Sequence, residues 1–127
     1  MSQRVIVTSS DAPTAIGPYS QAVASGGVLY CAGALPLDRS GELVEDSLGA
    51  ATAQCLRNLA AVCEGDGTSL ARALRLTVYT TDLADFAEIN EAYADFFDSE
   101  PPARVAVGVA QLPRGARVEI DAIVARD

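Results

Sequence analysis

Arg104 is the residue of this chain whose type and position most clearly suggest chemistry. It follows Pro101-Pro102-Ala103, at the start of an otherwise apolar segment. An Arg guanidinium stays charged in proteins, and its planar fork can hold a carboxylate through two parallel hydrogen bonds. Arg104 is therefore a candidate for binding an acidic substrate, and a surface or interface ion pair is the simpler alternative.

Glu119 is the natural partner of Arg104. It lies on the next predicted strand, which is expected to form a hairpin with the strand of Arg104, and on the equivalent outward face. A carboxylate in this place could form an ion pair with Arg104, or it could hold a water molecule and remove its proton. A solvated strand residue would leave the same pattern in the sequence.

Tyr19 and Gly33 stand out by their local sequence. Tyr19 follows Gly17-Pro18, which predicts a rigid turn that presents the phenol hydroxyl. Gly33 lies inside a predicted strand, where glycine marks either a bulge or the close approach of a ligand or neighbour. A packed tyrosine in an ordinary loop would explain the first feature equally well.

Three residue types are missing from the chain, and this narrows the chemistry. There is no His, no Lys and no Trp, and all nine basic residues are Arg. Without Lys the protein cannot form an internal Schiff base or anchor pyridoxal phosphate. Without His, the Ser-His-Asp and Cys-His nucleophile systems and the common zinc sites are excluded. We therefore expect a function that uses Arg, carboxylates, hydroxyls and backbone groups, with no metal and no cofactor.

The charge balance and the cysteines restrict the partners and the compartment. Seventeen acidic residues against nine Arg leave a net charge of −8, without a basic patch for nucleic acid. The apolar runs are a few residues long, against about 20 in a membrane-spanning helix. Cys31, Cys55 and Cys63 are odd in number and form no Cys-x-x-Cys motif. We expect them to be packing residues in a reduced, cytoplasmic protein.

The length of 127 residues suits one domain over residues 1–127, and the periodicity of apolar residues predicts six strands and two helices. Gly26-Gly27 predicts a two-residue hairpin turn. Asp46 is a plausible N-cap for the first helix and Gly65 its end, and Asp85 begins the second helix with a capping-box partner at Glu88. The predicted strands cover residues 4–8, 22–25, 28–34, 74–80, 103–109 and 117–125, and the helices cover 46–64 and the stretch from 85 to the prolines at 101–102.

This order of elements predicts an α+β fold in which one mixed sheet packs under two helices. The alternating positions of the 103–109 strand are expected to divide between the helix face and the open face: Val105, Val107 and Val109 against Arg104, Ala106 and Gly108. Two helices can cover only one face of the sheet. Because small residues on the other face permit close approach of another subunit, we expect a homo-oligomer rather than a monomer.

Several short motifs, in order and over nearly the whole chain, resemble the Rid family, the YjgF-like reactive intermediate deaminases. They are Ala15-Ile16-Gly17-Pro18-Tyr19-Ser20-Gln21-Ala22, Ala32-Gly33-Ala34-Leu35-Pro36-Leu37-Asp38, Gly41-Glu42, Asn58-Leu59, Thr77-Val78-Tyr79, Asp82-Leu83-Ala84-Asp85-Phe86 with Asn90 and Tyr93, Pro102-Ala103-Arg104, Leu112-Pro113-Arg114-Gly115-Ala116 and Val118-Glu119-Ile120.

The resemblance implies a chorismate-mutase-like subunit and a homotrimer with a central barrel and active sites in clefts between subunits. It implies cofactor-independent hydrolysis of 2-imino and enamine acids, such as 2-aminoacrylate, to 2-keto acids and ammonia. By the same resemblance Arg104 binds the substrate carboxylate and Glu119 handles water. Tyr19, Gly33 and Asn90 match positions that line the cleft.

The chain departs from the family pattern at two places. Deaminating members usually carry Ser-Gly-Gln where this chain has Ala32-Gly33-Ala34, so the pocket hydroxyl is missing at Ala32. A Cys often found two positions after the arginine is Ala106 here. Two alternatives therefore stay open, a trimeric protein that binds a small carboxylate or regulates other proteins, and a diverged hydrolase of another small C–N substrate. A ribonuclease role is disfavoured by the net charge and the absence of His.

Overall fold

The computed structural model describes residues 3–127, which form six strands and two helices. The elements are β1 Val5–Val7, β2 Ala22–Ser25, β3 Val28–Ala34, α1 Leu48–Gly65, β4 Ala73–Thr80, α2 Phe86–Ala94, β5 Ala103–Gly108 and β6 Val118–Ala125. The strands form one sheet in the order β1-β2-β3-β6-β4-β5, in which only β4 and β5 are parallel neighbours. The predicted α+β fold, a mixed sheet packed under two helices, is confirmed.

The core lies between the sheet and the helices. From α1 the fully buried side chains include Leu56 and Leu59, from α2 Ile89, and from the sheet Leu76 and Ile120. Burying a side chain of this size stabilises the fold by about 2 kcal/mol. The apolar residues of α2 face this core, because Ile89 and Tyr93 are buried and Phe86 packs against it.

The hairpin between β2 and β3 follows the sequence prediction. Ser25 pairs with Val28, so Gly26 and Gly27 form the two-residue turn. Gly26 has φ +60°, in the left-handed region that glycine adopts without the strain of a Cβ.

The helix ends differ from the predicted ones. Ser47, not Asp46, caps α1, and its Oγ accepts a hydrogen bond from the Ala50 amide at 3.0 Å. Glu88 forms no capping box in α2; its Oε2 accepts from the Gly49 amide at 2.8 Å. Because α2 packs beside α1, this carboxylate satisfies an N–H of the first turn of α1, where negative charge is favourable.

The predicted hairpin between β5 and β6 is wrong. β6 lies between β3 and β4, and β4 separates it from β5. The reason is the crossover through α2, which makes β4 and β5 parallel neighbours and leaves the other edge of β4 for β6.

The prediction of which β5 residues face the helices is also wrong, because the two faces are exchanged. Arg104 pairs with Leu76 and Gly108 with Thr80, and both β4 residues are buried beneath the helices. Since paired residues share a face of the sheet, Arg104, Ala106 and Gly108 lie on the helix face. Val105 and Val107 lie on the open face and are 42% and 38% exposed.

The open face of the sheet is largely apolar. Ile6 and Tyr30 lie on it and are about half exposed. An apolar face of this kind is typical of a protein interaction surface. Separately, neither helix within residues 3–127 is long and apolar enough to cross a membrane.

Candidate active site

Glu119 and Gly33 meet where β3 and β6 lie side by side. The register of β3 shifts between Cys31 and Ala34, so the strand bulges at Ala32 and Gly33. The Glu119 side chain packs onto the bulge, and a Cβ built on Gly33 would lie 2.5 Å from its Oε2. Gly33 therefore shows both features that the sequence offered as explanations, a bulge and the close approach of a neighbouring group.

A cavity of about 330 Å³ opens beside this contact. Tyr19 lies at its edge with its side chain about half exposed, and its hydroxyl is 3.4 Å from the Ile16 amide. The cavity is lined by Ile16, Gly17, Tyr19, Ala32, Gly33, Leu35, Pro113 and Glu119. The structure thus brings together three of the five predicted site residues.

The environment of Glu119 favours its protonated form. Burial raises the pKa of the Glu119 carboxyl, and the negative charge of Asp121 raises this pKa further. Asp121 lies two residues along β6 on the same face, and its Oδ2 accepts a hydrogen bond from the Tyr79 hydroxyl at 2.9 Å. A carboxyl with a raised pKa inside a cleft is suited to both taking and returning a proton.

Arg104 and Asn90 form a second group on the helix face. A guanidinium N–H of Arg104 donates to Asn90 Oδ1 at 2.7 Å. The guanidinium carbon lies 5.1 Å from the centre of the Phe86 ring and 4.8 Å from that of Tyr93, both on α2. These contacts fix the plane of the guanidinium by cation–π attraction.

Phe86 and Tyr93 are the residues that sequence reasoning missed as part of this site. Their spacing to Asn90, four residues before it and three after it, places all three on one side of the helix. That spacing is the signal that could have linked them to Asn90.

A cavity of about 370 Å³ lies next to Arg104. It is lined by Asn90, Tyr93, Ala94, Phe97, Asp98, Pro101, Pro102 and Arg104. The guanidinium therefore contacts α2 on one side and borders a space large enough for a small acid on the other.

The group around Glu119 and the group around Arg104 lie far apart within one folded chain, so Glu119 of the same chain is not the partner of Arg104. Arg104 is level with Ala122 on β6, three residues from Glu119, and β4 separates the two strands. The spacings of a sheet put about 10 Å between the residues in each direction. They also lie on opposite faces. One chain brings Tyr19, Gly33 and Glu119 together, and Asn90 and Arg104 together, but does not join the two groups.

The cysteines are packing residues, as predicted. Cys31, Cys55 and Cys63 are buried and none forms a disulfide. Burial raises the pKa of the Cys55 thiol, which makes it a poor nucleophile. Within residues 3–127, no group of three His, Cys, Asp or Glu side chains is placed to hold a metal ion.

Comparison with known proteins gives a consistent result. A family model described as Endoribonuclease L-PSP matches residues 9–126. The bovine 2-iminobutanoate/2-iminopropanoate deaminase is 40% identical over 121 residues, which cover 94% of this chain and 88% of that protein.

Two solved structures have the same fold. RidA from an Antarctic Psychrobacter species is 39% identical, with a TM-score of 0.91 and coverage of 95% of this chain and 98% of that one. TdcF of E. coli, solved with bound serine, is 35% identical, with a TM-score of 0.90 and coverage of 97% and 99%. Together with the order of the motifs along the sequence, these matches establish that the chain belongs to the Rid family, the family described by the Endoribonuclease L-PSP model.

Proposed function

We propose that this protein hydrolyses 2-imino and enamine acids, such as 2-aminoacrylate, to 2-keto acids and ammonia. The reaction takes place at sites formed between the copies of a homotrimer, whose sheets line a central barrel. The observation that carries the proposal is the division of the predicted site residues into two groups on opposite faces of one chain. The groups combine only if one copy contributes Arg104 and its neighbour contributes Glu119.

The surfaces of the chain support such an arrangement. Every residue of the edge strand β5 is exposed, Arg104 included. The open face carries Glu119 and exposed apolar residues such as Tyr30 and Val105, and it has no layer over it within residues 3–127. A contact between two different surfaces of identical chains repeats around a ring when its rotation closes, and three copies would then have three equivalent sites.

Arg104 binds the substrate carboxylate in this mechanism. Asn90 and the rings of Phe86 and Tyr93 hold the guanidinium in one plane, so that its remaining N–H groups form paired hydrogen bonds to the carboxylate. The imine carbon next to the carboxylate is then held in a fixed position, which lowers the entropic cost of the attack by water.

Glu119 moves the protons. The enamine first becomes the protonated imine, whose carbon is electrophilic. Glu119 takes a proton from water as the water oxygen bonds to this carbon, and it returns the proton to nitrogen. The C–N bond then breaks as the hydroxyl proton passes to Glu119 and on to solvent, so that ammonia leaves and the 2-keto acid remains. This proton balances the one that the enamine took up to become the protonated imine. The raised pKa of Glu119 suits both halves of this exchange.

The activity is tested by coupling the protein to an amino-acid oxidase. The oxidase releases imino acids in place, and the formation of keto acid is followed with and without the protein. We expect an acceleration that is lost in Arg104→Ala and Glu119→Gln. Keto-acid formation at the uncatalysed rate with every imino acid supplied would refute the proposal.

A mixing experiment tests whether the sites lie between copies. Arg104→Ala and Glu119→Gln chains are each inactive in this proposal, but every mixed trimer has one site with both intact residues. Random reassembly of equal amounts makes three quarters of the trimers mixed, so about a quarter of the wild-type activity should return. Light scattering should give a mass near three chains. A stable monomer, or a mixture without activity, would exclude sites between copies.

A protein that binds a small carboxylate without turning it over is the second candidate. The bound serine in TdcF, and the missing hydroxyl at Ala32, favour it. The two candidates separate when calorimetry and turnover are measured on the same sample. Binding of a 2-keto acid that depends on Arg104, without any acceleration of imine hydrolysis, would favour the binding protein.

A further inference from the structure

We propose that the substrate's side chain enters a further cavity behind Ala32, the inner cavity. We propose also that the protein prefers 2-imino acids with an aliphatic side chain of about three carbons. This inference rests on the proposed function, since it concerns the same site. It assigns to Ala32 and Ala34 the role of admitting that side chain.

The inner cavity lies between β3 and α1, beneath the loop of residues 12–21. It measures about 50 Å³. Tyr19, Ala32, Gly33 and Leu35 line both this cavity and the larger one that contains Glu119. The two spaces therefore adjoin at these four residues, of which Ala32 and Gly33 are the smallest.

The polar side chains around the inner cavity are already engaged. The amide of Gln21 accepts from the Ser9 N–H at 2.6 Å and donates to the Pro13 carbonyl at 2.8 Å. The amide of Asn58 donates to the carbonyls of Leu35 and Leu37 at 3.1 and 2.9 Å. Both amides hold the surrounding backbone in place, so they have little to offer a polar guest.

The rest of the lining is mostly apolar. Ala34, Leu37, Leu59 and Val62 face the space, and Thr14 lies exposed near it. Water needs two to four polar partners in a cavity, whereas an apolar group needs none. The lining therefore fits a hydrocarbon better than water or a polar group.

The size of the cavity sets the length of the side chain. About 50 Å³ corresponds to about three water-sized groups. A propyl group would fill the space, a methyl group would end beside Ala32 without entering it, and a longer chain would meet Leu59 and Val62 on α1.

The test measures binding and needs no turnover. Calorimetry with pyruvate, 2-oxobutanoate, 2-oxopentanoate and 2-oxohexanoate lengthens the side chain by one methylene at a time. We expect the affinity to rise by about fourfold for each methylene up to the propyl group and then to stop rising.

Two variants fill the inner cavity from opposite sides. Ala34→Val adds volume from β3, and Val62→Leu adds it from α1; neither residue lines the cavity of Glu119. Each should abolish the gain in affinity with chain length, so that 2-oxopentanoate binds no better than pyruvate does to the same variant. Ala73→Val is the matched control, because Ala73 is a half-buried strand alanine that packs against the same core but lies outside both cavities.

The outcomes for the two proposals are distinct. Equal affinities along the series in the wild type would overturn the inner cavity as the side-chain site. So would a gain in affinity with chain length that stays unchanged in both filled variants. Turnover of the imine of pyruvate tests the proposed function independently, because its methyl group does not reach the inner cavity. A normal chain-length series in a protein without turnover would refute only the hydrolase.

Discussion

The carboxylate of Glu119 occupies the space that a side chain at Gly33 would need. A Cβ at position 33 would lie 2.5 Å from Oε2 of Glu119, closer than real Cβ atoms approach a neighbour, and 3.0 Å from its Cδ, so the carboxylate would have to shift. The bulge in β3 and the missing side chain thus position the acid on the open face of the sheet. This contact links the glycine that stands out in the sequence to the proposed proton carrier.

Gly33→Ala should lower turnover without unfolding the protein. Gly33 is exposed and its φ is not in the left-handed region, so alanine is tolerated by the backbone, but Glu119 has to move away. Displacement of a catalytic group by about 1 Å costs on the order of 10²-fold in rate. Steady-state kinetics and circular dichroism measure the two effects. Gly27→Ala is the control, since its Cβ would meet its nearest atom at an ordinary 3.5 Å. Unchanged turnover in Gly33→Ala would mean that the reaction does not depend on where Gly33 allows the Glu119 carboxylate to lie.

Arg104→Lys should lose most activity although the charge is kept. The ammonium lacks the planar fork that pairs with a carboxylate and that Phe86 and Tyr93 hold in place. We expect kcat/KM to fall by about 10²-fold, comparable to the loss of one charge-stabilising donor. Arg57→Lys changes an exposed Arg on α1 and should have no effect. Near-normal kinetics in Arg104→Lys would exclude bidentate binding of the substrate.

Glu119→Gln should make the protein inactive and, at neutral pH, more stable. The pKa of Glu119 is raised in the folded state, so the folded protein binds this proton more tightly than the unfolded chain does. Wild-type stability therefore falls as the pH rises through the interval between the ordinary pKa of 4.5 and the raised one. Glutamine has no proton to lose and avoids this cost.

Urea unfolding at pH 4 and pH 7 checks this prediction. Below the ordinary pKa of 4.5 both states of the wild type are protonated, so the advantage of the glutamine variant should shrink. Glu91→Gln, an exposed change on α2, controls for the loss of one charge. A glutamine variant that is less stable than the wild type at pH 7 would contradict the cause given for the pKa.

Ala32→Ser should raise the turnover of a small imino acid. Ala32 lies in the bulge and lines the cavity of Glu119, and its amide already donates to the Gln21 carbonyl at 2.9 Å. A hydroxyl there adds a second partner for water, and one hydrogen bond of about 1 kcal/mol corresponds to a gain of about fivefold. Ala73→Ser makes the same change on β4, outside both cavities, and should not raise the rate. Equal rates for Ala32→Ser and wild type would mean that the missing hydroxyl at position 32 has no effect on turnover.

The elements that could be predicted are those whose cause is local. The Gly-Gly turn, the two helices with their apolar stripes and the alternation along β6 follow from residues close together in the chain. The candidate site residues were found in the same way, by residue type or by motif. Local rules failed at the ends of the helices, because Glu88 caps α1 across the interface between the helices instead of its own helix.

The partner strand of β6 and the faces of β5 could not be predicted. Both depend on which strands pair, and pairing is decided by the packing of elements far apart in the chain. Alternation along β5 separates Arg104 from Val105, but it does not say which of them lies beneath the helices. The pairing of Arg104 with buried Leu76 answers that question.

By itself, the sequence determined the family, the fold class and the chemical groups available, because each follows from residue types and their order. The absence of His and Lys in particular leaves Arg and carboxylates to carry the charge chemistry. Only the tertiary structure decided that Arg104 and Glu119 lie on opposite faces, two strands apart, and that Glu119 rests on Gly33. The physical reason is that the α2 crossover pairs β5 with β4, and that helix burial on one side then turns every side chain of β5 to a definite face.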